Sequence, residues 1–163
     1  MYRYTLGFIQ RKDEVLLVNR HKNPWKGCWN GLGGKVELGE DIKSSIIREI
    51  MEETGISIHP SSVEDKGILT WNSFDAMGKG LHLFVIKVDD DFVYPTPKQT
   101  VEGLLDWKTI EWTTDTENYG VAHNIPYFLK TALLDSKRYH YHCTFEGRHL
   151  LSVTKTEETH HDS

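Results

Sequence analysis

Short β-rich runs dominate the chain, and helix-like spacing of apolar residues interrupts them in two places. Residues 2–11 (YRYTLGFIQR) and 14–20 (EVLLVNR) read as strands, and Lys12-Asp13 between them predicts a hairpin. Residues 21–34 (HKNPWKGCWNGLGG) are rich in Gly, Asn and Pro, so a loop is expected there, with a short strand near Leu32. Ile42, Ile46, Ile47 and Ile50 then recur at helical spacing. Asp41 stands where it can cap that helix, Thr54 ends it, and Gly55 supplies a left-handed terminus. Residues 66–74 and 81–88 predict two strands joined by DAMGKG, and 104–113 predicts another after the Pro-containing loop 94–103. A second helix is expected over 124–135 with Pro126 in its first turn and Asn124 as its cap. Two last strands, 139–145 and 149–155, flank a three-residue hairpin loop at Glu146-Gly147-Arg148. Many strands with two separated helices indicate an α+β sandwich.

A length of 163 residues suits one domain with a single core, here 1–155, followed by a polar tail at 156–163 expected to fray. The net charge of −5 argues against a main partner in the nucleic-acid backbone, whose binders usually carry a basic face, so no polymeric nucleic acid is expected as partner. A small nucleotide arriving with its own metal ion stays compatible. Cys28 and Cys143 form no CxxC pair, and a reduced compartment follows as the expectation. With neither a signal-peptide pattern nor an apolar run of the ~18 residues a bilayer needs, a cytoplasmic protein without membrane contact is expected.

The candidate chemistry sits on the first helix. Glu49, Glu52 and Glu53 follow i, i+3, i+4 spacing and so share one face beside the apolar stripe. Like charges so placed weaken an isolated helix, and the C-terminal half of a helix disfavours anions as well. Either this is a solvated acidic face partly offset by Lys43 and Arg48, or a hard divalent cation completes it. The three glutamates alone leave both open.

Their flanks narrow the choice. The stretch GKVELGEDIKSSIIREIMEETGI, residues 34–56, resembles the Nudix box, Gly-x5-Glu-x7-Arg-Glu-U-x-Glu-Glu-x-Gly-U with U apolar. Gly34, Glu40, Arg48, Glu49, Glu52, Glu53 and Gly55 fill its fixed positions. The resemblance implies an α/β/α sandwich with a mixed sheet and a loop–helix–loop box. It also implies hydrolysis of a nucleoside diphosphate linked to another group, with Mg²⁺ or, in its place, Mn²⁺. By the same resemblance Glu49, Glu52, Glu53 and the Gly34 carbonyl become metal ligands, and Arg48 orients Glu49. Lys35 is a candidate for a phosphate oxygen, with a solvated lysine as the alternative. Glu102, in the TVEGLLDW loop, stands where relatives carry a further acidic ligand or base; it and Glu49 are the candidate general bases.

The approach WNGLGGKVELGE, residues 29–40, is similar to the MutT-type branch and its 8-oxo-dGTP diphosphatases. That likeness gives Asn30 a base contact, and an amide that both donates and accepts suits a purine edge. A turn-forming Asn before Gly31 is the competing reading. Tyr119 and Asn124 are further substrate-binding candidates, as are Trp29 and Trp25 for stacking, whereas Trp71, Trp107 and Trp112 are expected in the core. The branch's stacking Trp with neighbouring aspartates has no clear counterpart in residues 119–129. All nine histidines are read as structural or exposed.

The expected function is a Mg²⁺-dependent nucleoside triphosphate pyrophosphohydrolase releasing NMP and pyrophosphate, with oxidised purines such as 8-oxo-dGTP as preferred substrate. Its rivals are a pyrophosphatase for another nucleoside diphosphate derivative, such as a nucleotide sugar, and a catalytically silent nucleotide-binding regulator. Monomer and homodimer are equally open.

Overall fold

The computed structural model describes residues 2–21, 26–72, 80–122, 124–147 and 149–158. Trp25, His123, Arg148 and most of the link between the two central strands lie outside the described residues.

The strands are β1 (Thr5–Arg11), β2 (Glu14–Arg20), β3 (Trp29–Asn30), β4 (Val63–Trp71), β5 (Gly80–Val88), β6 (Lys98–Gln99), β7 (Gly103–Thr109), β8 (Arg138–Glu146) and β9 (His149–Glu158). They form one sheet in the order β6-β7-β2-β1-β5-β4-β8-β9, with β3 attached to β2. The β1–β5 and β4–β8 pairs are parallel and the others antiparallel, so the sheet is mixed.

Alternate residues of a strand face opposite sides, and both sides here are apolar. Phe8, Val15, Leu17, Leu83 and Val85 join one buried cluster; their neighbours Ile9, Leu16, Val18, Phe84 and Ile86 join the other. Helix α1 (Ile42–Thr54) covers the second side through Ile46 and Ile50. Helix α3 (Leu129–Leu134) covers the first through Leu129, Ala132 and Leu133. Helix, sheet and helix thus make the three layers that the family resemblance implies.

The first helix forms as its sequence predicts. Asp41 Oδ1 accepts from the Ser44 N–H at 2.8 Å, and Gly55, at φ 78°, donates its N–H back to Met51. Other elements differ. The strand expected over 104–113 stops at Thr109, whose hydroxyl accepts from the Trp112 N–H and starts a short helix, α2 (Ile110–Thr113). Trp112 is therefore 40% exposed and not in the core, while Trp107 is buried. The expected 124–135 helix is split into a 3-10 turn at Ile125–Tyr127 and α3. Phe128, at φ −133°, breaks it by turning into the core against Phe8 and Tyr141. Asn124 makes no side-chain cap bond; its amide meets the buried Cys143 thiol instead. At the other end of the chain, β9 pairs with β8 as far as Glu158, so Thr156, Glu157 and Glu158 are strand and not tail.

Candidate active site

Three segments converge beside the C-terminal half of α1, the box helix: the end of β2 at Arg20, β3 with the following glycine loop, and the turn into β7 at Glu102. Antiparallel pairing sets Arg20 opposite Gly103, and the His21 N–H donates to the Glu102 carbonyl at 3.2 Å. The glycine loop is tied to β1, where Thr5 N–H donates to the Gly34 carbonyl at 2.9 Å and Gly7 and Leu32 exchange backbone bonds.

Gly33, just before the box, and Gly34, its first residue, are both required by space. Gly33 has φ 145°, and a Cβ there would stand 2.1 Å from the Thr5 carbonyl oxygen. At Gly34 a Cβ would fall 2.6 Å from the Glu49 carboxylate. The loop backbone thus runs directly under Glu49, in a cradle that only the missing side chain keeps open.

Arg48 braces the rim. Its Nε and Nη2 donate to the two Glu40 oxygens at 2.7 and 3.0 Å, Nη1 donates to Glu49 Oε1 at 3.0 Å and Glu52 Oε2 at 3.2 Å, and Nη2 also reaches the Lys35 carbonyl. The fork geometry holds Glu40's carboxyl down to about 2, and the carboxylates in turn raise the already high Arg48 pKa. Arg48 therefore stays a fixed cation at every working pH.

Glu53 lies deeper. Its side chain is 4% exposed, and burial pushes its carboxyl up to about 8 despite Arg20 and the Gly33 N–H, which donates to Oε2 at 3.0 Å. Burial raises Glu49 as well, against the pull of Arg48. The Glu102 charge adds to both shifts, so these three carboxylates share one field. Glu52 is more than half exposed and, among the described residues, bonds only to Arg48.

Arg20 is the residue that sequence reading missed. Its Nη2 stands 3.6 Å from Glu53 Oε1 and its Nη1 3.8 Å from Glu102 Oε2. An arginine at the end of a strand carries no signal of its own; only the β2–β7 register brings it between the two glutamates.

Among the described residues, no three His, Cys, Asp or Glu side chains are already drawn together as a metal cage. The carboxylates turn to Arg48 and Arg20 instead. The donor set still fits a hard divalent cation: oxygen ligands only, a buried carboxylate short of countercharge at Glu53, and the Gly34 cradle under Glu49. The Gly34 carbonyl already accepts from the Thr5 N–H at 2.9 Å and from the Thr5 hydroxyl at 3.3 Å, so an ion there would take the place of the longer hydroxyl contact.

The base-contact candidates are spread out. Asn30 is buried on β3, and its Oδ1 accepts from the Gly31 N–H at 2.8 Å, leaving Nδ2 without a partner among the described residues. Trp29 is half-buried with Lys108 over its ring at 4.6 Å, which makes it part of the sheet's packing on that side. Tyr119 is 88% exposed; the backbone after it docks on β3 through the Gly120 carbonyl and the Ala122 N–H. Asn124 is buried, with its amide beside the Cys143 thiol. The Lys35 side chain is exposed beside Arg48's carbonyl contact.

Residues 1–122 match the NUDIX domain family. Over 104 residues the chain is 33% identical to an oxidized purine nucleoside triphosphate hydrolase of Mus musculus, covering 64% of each. Over 50 residues it is 46% identical to an ADP-ribose pyrophosphatase of Methanocaldococcus jannaschii, covering 31% of this chain and 30% of that one. The chain thus spans less than two thirds of either curated relative. A solved MutT mutator protein from Bacillus halodurans superposes with a TM-score of 0.72 at 28% identity, over 95% of this chain and 97% of that one.

Proposed function

The chain belongs to the Nudix family, and from that premise we propose that it hydrolyses a (deoxy)nucleoside triphosphate to the monophosphate and pyrophosphate, preferring an oxidised purine. The observation that carries this reading is Glu49 over Gly34 and braced by Arg48, Glu53 bonded to the Gly33 N–H, and the Glu102 charge acting on both. Likeness to the mouse oxidized purine nucleoside triphosphate hydrolase supports the choice of base.

Glu49, Glu53 and, from the facing turn, Glu102 would hold Mg²⁺, with the Gly34 carbonyl beside them. A divalent cation, when bound, supplies charge neutralisation and polarisation of the phosphate oxygens. The chain's own groups do the rest. Water adds to phosphorus, the phosphoanhydride P–O bond breaks, and pyrophosphate leaves with the electron pair. The water proton passes to a carboxylate oxygen; Glu49 suits this because burial raises its affinity for a proton and Arg48 fixes its position. Glu102, more exposed, is the alternative acceptor. Asn30 Nδ2 would donate to a purine oxygen or ring nitrogen while Oδ1 stays on Gly31.

The match to an ADP-ribose pyrophosphatase across part of the chain favours one second reading, a substrate whose diphosphate carries a sugar. Release of pyrophosphate from 8-oxo-dGTP, dGTP, dCTP and ADP-ribose, with Mg²⁺ and then with EDTA, separates the readings. The triphosphates should yield pyrophosphate in Mg²⁺ alone, 8-oxo-dGTP fastest. Cleavage of ADP-ribose only, giving AMP without pyrophosphate, would establish the second reading. No turnover of any nucleotide, with nucleotide binding retained, would mark a regulatory module.

A further inference from the structure

The two site arginines are held in opposite ways. Arg48 makes hydrogen bonds to three carboxylates and a carbonyl, at 2.7 to 3.2 Å. Arg20 makes none to a carboxylate: its two contacts, at 3.6 and 3.8 Å, are ion pairs without hydrogen-bond geometry. It nevertheless sits between two glutamates from separate elements, one buried on α1 and one half-exposed before β7. A guanidinium optimised for a permanent bridge would approach closely and bidentately, as Arg48 does with Glu40. The backbone around Arg20 is fixed, being in register with Gly103 and accepting from the Gly27 N–H. Only the side chain is free to move, and a quarter of its surface is open.

Resting on the reading of Glu53 and Glu102 as metal-facing carboxylates, we infer that Arg20 is a displaceable countercharge: it stands in the Glu53–Glu102 gap and gives way when a divalent cation enters. Arg20 is thus a positioning residue. It keeps Glu53 and Glu102 facing one another and so preforms the site, at the cost of competing with the ion. Once displaced, its guanidinium remains at the mouth of the site as a cation, where an incoming phosphate provides its next partner.

Competition has a sign that a structural role lacks. Removing a unit charge next to the ion's position should tighten metal binding, because a cation and a guanidinium a few ångströms apart repel even when partly screened. Mn²⁺ binding to the nucleotide-free full chain, followed by electron paramagnetic resonance, should therefore be about tenfold tighter for Arg20→Gln than for wild type, and the difference should shrink in high salt. Arg20→Lys keeps the charge and should bind Mn²⁺ close to wild type. In turnover Arg20→Gln should raise KM for the triphosphate more than it lowers kcat, since the phosphate loses a partner. Equal or weaker Mn²⁺ binding by Arg20→Gln, with wild type binding normally, would overturn the role given to Arg20. Absence of Mn²⁺ binding by the wild type would overturn the metal reading of the carboxylates and this role with it.

Discussion

The Glu49 carboxylate occupies the space that a side chain on Gly34 would need, with Cδ and Oε1 each 2.6 Å from the position of that missing Cβ. Gly33, next to it, is constrained by backbone and not by a side chain, since its absent Cβ faces the Thr5 carbonyl at 2.1 Å. The two glycines should respond differently to alanine. Gly34→Ala displaces the far end of one glutamate and should change the melting temperature little, yet lower kcat by about 100-fold through misplacement of Glu49. Gly33→Ala forces a strained φ against a fixed carbonyl and should cost about 3 kcal/mol of stability. Thermal melts and kcat on both variants test the distinction; equal melting losses would refute it.

Burial of Glu53 makes stability depend on pH in a defined direction. Its carboxyl rises from 4.5 to about 8 on folding, so between these values the folded state holds more of this proton than the unfolded state. Its contribution to stability is complete below pH 4.5 and lost as pH rises through about 8. Added Mg²⁺ supplies the missing countercharge, so the stabilisation it gives should be larger at pH 8 than at pH 5.5. Glu53→Gln keeps an acceptor for the Gly33 N–H and removes the charge. It should melt higher than wild type at pH 8 without metal, lose the response to Mg²⁺, and lose most activity. Melting curves across this range, with and without Mg²⁺, provide the check.

Arg48 should matter to fold and rate together. It hydrogen-bonds Glu40, Glu49 and Glu52 and has Glu37 at 3.2 Å, and Arg48→Ala would leave these like charges crowded without their cation. We expect a loss of about 2 kcal/mol in urea unfolding at pH 7, below the value for a buried pair because the group is partly solvated. Glu40 gives this a pH signature. Its carboxyl is lowered from 4.5 to about 2 by Arg48, so wild type loses the clasp's contribution as pH falls from 4.5 towards 2. The alanine variant should lack that part of the acid limb. An unchanged acid limb would show that Glu40 finds its stabilisation elsewhere.

The box helix was legible because every level of its sequence agrees: cap, apolar stripe, terminal glycine and carboxylate spacing all specify one element. The β-rich runs and their turns placed most of the strands, whereas the mixed sheet was implied by the family resemblance alone. What stayed illegible depended on partners far along the chain. Arg20 became part of the site only through pairing of β2 with β7, which no local pattern encodes. Asn124 had the composition of a cap, yet the core took its amide for Cys143. Phe128 likewise left a helical pattern because an aromatic pocket between Phe8 and Tyr141 outweighed one more turn. The end of β7 was a local signal overlooked: Thr109 three residues before Trp112 is a capping arrangement.

Asn30 decides the substrate claim, and the structure sharpens how to test it. Its Oδ1 already accepts from the Gly31 N–H, so Asn30→Ala removes two things: support for a buried turn and the Nδ2 donor proposed to read a purine. The first loss acts on folding and should lower the melting temperature whatever the substrate, by the cost of an unpaired buried N–H, about 1–3 kcal/mol. The second acts only on nucleotides that offer an acceptor at that place. Asn30→Asp separates the two, since its carboxylate can still accept from Gly31 but, ionised, has no hydrogen to donate. Measured as kcat/KM for 8-oxo-dGTP, dGTP and dCTP, both variants should fall most on the preferred purine, by about 10- to 100-fold, and so close its gap to dCTP. The aspartate variant should do so at a melting temperature nearer wild type than alanine's. Parallel loss on all three nucleotides, tracking the melting temperature across both variants, would reduce Asn30 to a turn residue and leave base choice to other groups.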